Sequence, residues 1–197
     1  MRLSVIFATL VLSSLGYSQI INTQDPDSFQ MGYATYLNAG DSSLILSNSG
    51  ASIGLPGTGN ICVNTYVFDT REEMNECCAC TVTPDGFRSI SAKTDLTKNP
   101  IITGTVLTNI IVKLVATEKI GLTCDPTTEA TLLPGMAAWG TTLTPAPPAG
   151  KTYSAIPVEY KDEPLSAAEY LSLTSTCYFA GRLGSGSGIC TCGVSGD

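Results

Sequence analysis

"NECCACTVTPDG", residues 75–86, places Cys77, Cys78 and Cys80 within four positions of one another and follows them with Pro84-Asp85-Gly86. Three thiols this close are half of a metal site, a redox centre or one end of a set of disulfides, and the choice sets the fold. Zinc sites space their ligands as paired C-x2–4-C and often add histidine. The chain has no histidine, and neither Cys-Cys-x-Cys nor Cys190-Thr191-Cys192 has that spacing. A redox centre needs a group that lowers a thiol pKa, such as a C-x-x-C at a helix start, a histidine or clustered lysines. None stands near. Structural disulfides are the reading that remains. Cys77, Cys78 and Cys80 are too close to pair readily with one another, so each is expected to reach a distant partner. The full candidate set is Cys62, Cys77, Cys78, Cys80, Cys124, Cys177, Cys190 and Cys192. The even count suits an exported chain, and the connectivity is not readable from spacing.

The beginning of the chain agrees with export. Arg2 is followed by an apolar run over 3–15 and then by Gly16 and Ser18, the layout of a secretory signal peptide. The run falls short of the roughly 20 apolar residues of a membrane span. Cleavage is expected after Ser18, which leaves 179 of the 197 residues and shifts the formal charge from −7 to −8 as Arg2 is lost. That length is one domain with a real core. The acidic balance argues against nucleic acid and against acidic membrane surfaces, which both call for clustered Lys and Arg. Only 14% of residues are charged, against about a quarter in ordinary domains. No N-x-S/T sequon is present.

Alternation dominates the rest of the chain. Strands are expected over 33–37, 43–47, 108–117, 135–143 and 153–160. The stretch 61–69 alternates cleanly, with Cys62, Asn64, Tyr66 and Phe68 on one face and Val63, Thr65 and Val67 on the other. The turn at 84–86 predicts a hairpin joining 80–83 to 87–92. Two capping boxes are visible. Thr70-Arg71-Glu72-Glu73 predicts a helical turn carrying Cys77, and Ser166-Ala167-Ala168-Glu169 predicts a helix to about residue 178 carrying Cys177. "PAPPAG" (145–150) reads as a stiff extended connector, and 181–197 as a Gly/Ser-rich tail.

Catalytic chemistry is hard to assemble from these residues. Without histidine there is no Ser-His-Asp or Cys-His machinery. Asp69, Glu72, Glu73 and Glu76 lie close in sequence, as do Asp162 and Glu163, but carboxylates at a helix start usually cap it or complement its dipole. With Asp85 the first group is acidic enough for Ca²⁺, yet no D-x-[DN]-x-[DN]-G loop is present. "GRLGSGSG" (181–188) lacks the G-K-[ST] ending of a phosphate loop. Trp139, the single tryptophan, shares a face with Ala137 and is expected in the core. No catalytic residue, metal or cofactor is assigned.

Four segments together resemble a family of uncharacterised exported Cys-rich proteins of acidobacterial type. They are "GNICVNTYVFDTREEMNECCACTVTPDGFRSISAKTDLT" (59–97), "PGMAAWGTTLTPAP" (134–147), "EPLSAAEYLSLTSTCYF" (163–179) and "GSGSGICTCG" (184–193). The similarity runs through most of the chain after the signal, and its most specific part is Cys-Cys-x-Cys-x-x-Thr-Pro-x-Gly. The family ends in Gly-Ser-Gly-x-Gly-Ile-Cys-x-x-Cys, whereas Cys190 and Cys192 are one residue closer. The resemblance implies bacterial export and carries no activity or site.

These observations predict an all-β, immunoglobulin-like β-sandwich of seven to nine strands, disulfide-stabilised, with one short capping helix. The expected organisation is a signal peptide over 1–18, an N-terminal arm over 19–31 and a single domain over 32–197. Within the arm, Gln19, Ile20, Ile21, Asn22 and Thr23 form a β-prone segment ahead of a breaker at Asp25-Pro26-Asp27. The function this suggests is a structural subunit of an extracellular or cell-surface assembly, a fibre, pilus or matrix, built by self-association into a homopolymer through that arm. The alternative is a secreted monomeric module that binds glycan or protein. An enzyme is not expected. With no histidine, stability is expected to be flat between pH 5 and 8.

Overall fold

The computed structural model describes residues 27–54, 59–102, 106–148 and 152–196. The signal segment 1–18 and the arm residues Gln19 to Thr23 lie outside the described residues. The strands are β1 (Phe29–Ala34), β2 (Ser43–Asn48), β3 (Ile61–Phe68), β4 (Met74–Val82), β5 (Phe87–Ser91) and β6 (Ile110–Thr117). They continue as β7 (Met136–Ala146), β8 (Thr152–Glu159) and β9 (Lys161–Asp162), then helix α1 (Ala167–Leu183) and β10 (Val194–Gly196). Strand β1 thus begins inside the segment expected as an arm.

Among the described residues ten strands form two antiparallel sheets, ordered β4-β3-β6-β1-β9 and β10-β5-β2-β7-β8. Only β3–β4 and β7–β8 are hairpins; every other step between consecutive strands changes sheet. The sheets face each other across a single core that draws Leu44, Leu46, Ile90 and Met136 from one layer and Ile61, Val63, Val112 and Leu114 from the other. This is the expected β-sandwich, and alternation explains it, since each strand turns one set of side chains inward.

The first sheet is covered on its second face as well. There Phe29, Tyr66 and Val115 pack against Leu165, Tyr170, Leu173 and Cys177. Burial on both faces is why β3 is buried at seven of its eight positions despite its alternating sequence. Helix α1 supplies the cover through Tyr170, Leu173, Thr174, Cys177 and Ala180, spaced as one helical stripe. Its start is the expected one, because Ser166 accepts a hydrogen bond from the Glu169 backbone N–H at 3.1 Å.

Four expectations are overturned here. Thr70 to Glu73 begins no helix. Asp69 Oδ1 instead accepts backbone N–H bonds from Arg71 at 2.8 Å and Glu73 at 3.0 Å, with Glu72 at φ 66°. This closes the β3–β4 hairpin, so Cys77 lies on a strand. The turn at 84–86 forms, with Gly86 N–H bonded to Thr83 O at 2.9 Å, but it makes no hairpin. Strand β4 pairs with β3 whereas β5 pairs with β2 and β10, so the turn carries the chain between layers. The tail is also structured: β10 closes the edge of the second sheet against β5. "PAPPAG" likewise falls at the end of β7 and in the link to β8, whose register runs up to Ala146↔Thr152.

All eight cysteines pair: Cys62–Cys124, Cys77–Cys177, Cys78–Cys190 and Cys80–Cys192. Cys77, Cys78 and Cys80 each reach a partner at least 100 residues away, as their close spacing implied. Cys77–Cys177 fastens the helix to β4, and closing such a loop typically contributes about 2–4 kcal/mol. Replacing Cys77 and Cys177 together by serine should lower the melting temperature by about 4–16 °C, at roughly 2–4 °C per kcal/mol for a domain this size. Hydrogen exchange should then show α1 opening before the sandwich, whose core lies on the other face of the sheet. Equal protection of helix and sandwich in the variant would count against this account.

Candidate functional site

A two-sheet sandwich has four edges, and an unpaired edge is a template for another strand. The outer edge of β4 is occupied by the C-terminal segment. Cys77 N–H donates to Gly188 O at 2.9 Å and Cys190 N–H to Cys77 O at 3.2 Å, beside the two disulfides to Cys190 and Cys192. Strand β9 is two residues long and β10 three. Strand β8 is different. Among the described residues it pairs on one side only, with β7; it runs for eight residues and is exposed at six consecutive positions from Thr152.

Exposure on both faces follows from the register. Strand β7 pairs with β2 only from Met136 to Gly140, whereas its pairing with β8 continues to Ala146. The far half of the hairpin is therefore a two-stranded ribbon extending past β2. Gly140 marks where the ribbon leaves, since a Cβ there would lie 1.8 Å from Ser43 O. Along β8, Tyr153 packs against Tyr36 with the rings tilted at 46° and 5.0 Å between centroids. The first charge is Glu159 and the first proline is Pro157. Natural edges are usually blunted by charges, proline or bulges, and residues 152–156 carry none of these.

Beside the base of the hairpin lies a cleft of about 700 Å³, lined by Asp27, Gln30, Trp139, Glu159, Tyr160 and Asp162 among others. Trp139 is 46% exposed, which corrects the expectation of core packing. Alternation did place it with Ala137, but that shared face points to solvent. Tyr160 packs over Gly32, where a Cβ would meet its ring at 2.6 Å. Gln30 bridges the layers: its Nε2 donates to Met136 O at 3.3 Å and to Asp162 Oδ1 at 2.9 Å.

The carboxylates singled out in the sequence do not converge. Asp69 and Glu72 line a groove of about 390 Å³ between α1 and the first sheet, with the Lys113–Glu169 ion pair. Lys113 also lies over the Phe68 ring at 4.9 Å. Asp69 is committed to its turn, and Glu76 points away into the protein. Among the described residues, the side chains of Cys78, Cys80 and Cys192 approach within 4.8 Å of one another, yet each is in a disulfide and offers no thiolate. No helix among the described residues is long and apolar enough to cross a membrane. A strand over 153–160 and a breaker at Asp27 were legible, but nothing in the sequence marked β8 as an open edge or placed Asp27 and Gln30 at one cleft, because that depends on what lies beside them. No protein family, curated protein or solved structure matches the chain.

Glu76 revises the expected pH response. It is fully buried, with Oε1 accepting from the Asn99 backbone N–H at 2.8 Å and Oε2 without a partner. Burial pushes its carboxyl up to about 7, with the Asn99 bond opposing the rise. The folded chain therefore holds a proton that the unfolded chain has released, between the ordinary value of 4.5 and about 7. Across that window stability should fall as pH rises, with a slope approaching about 1.4 kcal/mol per pH unit. Denaturant titrations at pH 5, 6, 7 and 8 should show the decline, and Glu76→Gln should flatten it. Identical curves for the two proteins would refute the assignment.

Proposed function

We propose that the protein is a structural subunit of an extracellular or cell-surface assembly and associates with copies of itself through β8. The observation that carries this reading is the eight-residue edge, exposed on both faces, while among the described residues the other edges are covered or very short. Added strands bind such an edge through main-chain hydrogen bonds, with alternate side chains filling pockets. The donor on this reading is the segment Gln19 to Thr23 of a second copy, which is β-prone and stopped by Asp25-Pro26. Four disulfides in a chain of low charge support maturation in an oxidising compartment. Export by residues 1–18 and kinship with exported acidobacterial proteins belong to the same proposal. The subunit acts by association rather than by catalysis.

A second reading rests on Trp139. An exposed indole at a cleft also lined by carboxylates and an amide is a surface on which a sugar ring can stack. This would make the protein a monomeric glycan-binding module.

Electron microscopy and light scattering on the chain begun at Gln19 separate the two. The first reading expects filaments from the parent chain. Ser154→Lys with Ile156→Lys, which places charge on the exposed edge, should give a monomer that melts within a few degrees of the parent. Filaments from that variant, or a parent that stays monomeric at high concentration, would overturn the assembly reading. A monomeric parent whose melting temperature rises with soluble oligosaccharide would establish the second.

A further inference from the structure

We propose that the outer side of helix α1 is a second self-association surface, on which two copies of the chain pair across a two-fold axis with their helices antiparallel. The helix buries one stripe against the first sheet, and the opposite side is the one that a surface helix normally makes charged and polar. Here residues 170–181 carry no charge on any side. The outer side exposes Leu171 at 58%, Phe179 at 58% and Leu183 at 80%. A helix that is apolar all round is normally covered all round. Ser175, midway along that side, already has its hydroxyl proton satisfied, because it donates to Leu171 O at 2.6 Å. Covering it therefore strands no donor.

The pattern along this side is complementary to itself. Ala168, Ser172, Ser175, Phe179 and Leu183 follow one another along it at steps of three or four residues. The first three are small and the last two are large. When two copies lie antiparallel, positions advance in opposite directions, so Phe179 meets Ser172 of the second copy and Leu183 meets its Ala168. Large side chains then enter the space left by small ones, and Ser175 near the axis lets the backbones approach. A parallel pair would set large against large. The helix ends agree. The first turn carries Glu169 and the last turn Arg182, so the antiparallel pair brings each acidic start beside the other's basic end. Tyr178 meets Phe179 edge-on at 5.8 Å and has Arg182 over its own ring at 4.5 Å, which positions these side chains before a second copy arrives. Each copy contributes the same patch, as a two-fold contact requires.

This contact goes beyond association through β8 and does not use that strand. A helix of 17 residues is about 25 Å long and about 10 Å across. Two such sides bury on the order of 500 Å² together, well short of the ~1,600 Å² of a standard stable interface. Alone, the contact holds two copies only weakly. Repeated along copies joined through β8 it acts many times over and draws filaments together side by side.

Ser154→Lys with Ile156→Lys, which blocks β8, isolates the helix contact. Sedimentation equilibrium of this edge-blocked chain, begun at Gln19, should show a monomer at micromolar concentration. Its average mass should climb toward twice that value as millimolar concentration is approached. Adding Phe179→Ser with Leu183→Ser should abolish the climb and leave the melting temperature within a few degrees, because both side chains are exposed. Adding Ser172→Phe alone should weaken pairing, since it fills the space that Phe179 enters. Ser172→Phe together with Phe179→Ser should restore pairing by exchanging large and small. An unspecific apolar patch would instead pair more tightly with Ser172→Phe. A constant monomer mass up to millimolar concentration, pairing that survives the loss of Phe179 and Leu183, or pairing strengthened by Ser172→Phe would overturn the proposal. A parent chain without filaments whose edge-blocked form still pairs would count against β8 and support the helix contact.

Discussion

In an extended strand neighbouring side chains leave on opposite faces, and β4 uses this to fasten three parts of the molecule from four consecutive residues. Cys77 points to the helix side and joins Cys177. Cys78 and Cys80 point into the sandwich and join Cys190 and Cys192. The helix, the last turn of the chain and the first sheet therefore share one anchor. Each closed loop is 100 residues or longer, so in chain-entropy terms these links restrict the unfolded ensemble strongly. Glu76 shares the inward face with Cys78, where the Asn99 N–H bonds its buried carboxylate.

The same anchor determines which edge stays open. By holding the C-terminal segment against β4, the disulfides occupy the outer edge of the first sheet, and the chain then continues into β10, which occupies the edge of the second beside β5. What remains is the opposite side of the molecule, where β9 is short and β8 is long. The cleft with Trp139 and the Gln30–Asp162 pair lies at that side too. Closure at one flank and an open edge with a cleft at the other are thus two results of one disulfide arrangement.

Much of this was legible in the sequence. Period-two alternation located the strand from Ile61 to Phe68, a strongly apolar run located the one from Ile110 to Thr117, and Ser166 marked the start of the helix. The failures have physical causes. Thr70 to Glu73 has the letters of a capping box, but Asp69, one residue earlier, holds the same N–H groups in a hairpin turn, and β3 then recruits Met74 to Val82 as a strand. Pro84-Asp85-Gly86 is a real turn, yet turn chemistry does not say whether the chain returns to the same sheet. Alternation paired Trp139 with Ala137 correctly, but which face is buried depends on the partner layer. Glu76 reads as one acid among several, and only its inward place on β4, with the Asn99 N–H against it, makes it a buried one.

The connectivity of β4 tests this account most directly. Partial reduction with differential alkylation, read by fragmentation mass spectrometry because no protease separates Cys77 from Cys78, assigns each cysteine its partner. The account predicts Cys77–Cys177, Cys78–Cys190, Cys80–Cys192 and Cys62–Cys124, with no free thiol. A link from Cys78 to Cys177, or from Cys77 to Cys190, would contradict it, because it would reverse the faces of β4 and release the segment that closes the molecule's other edges.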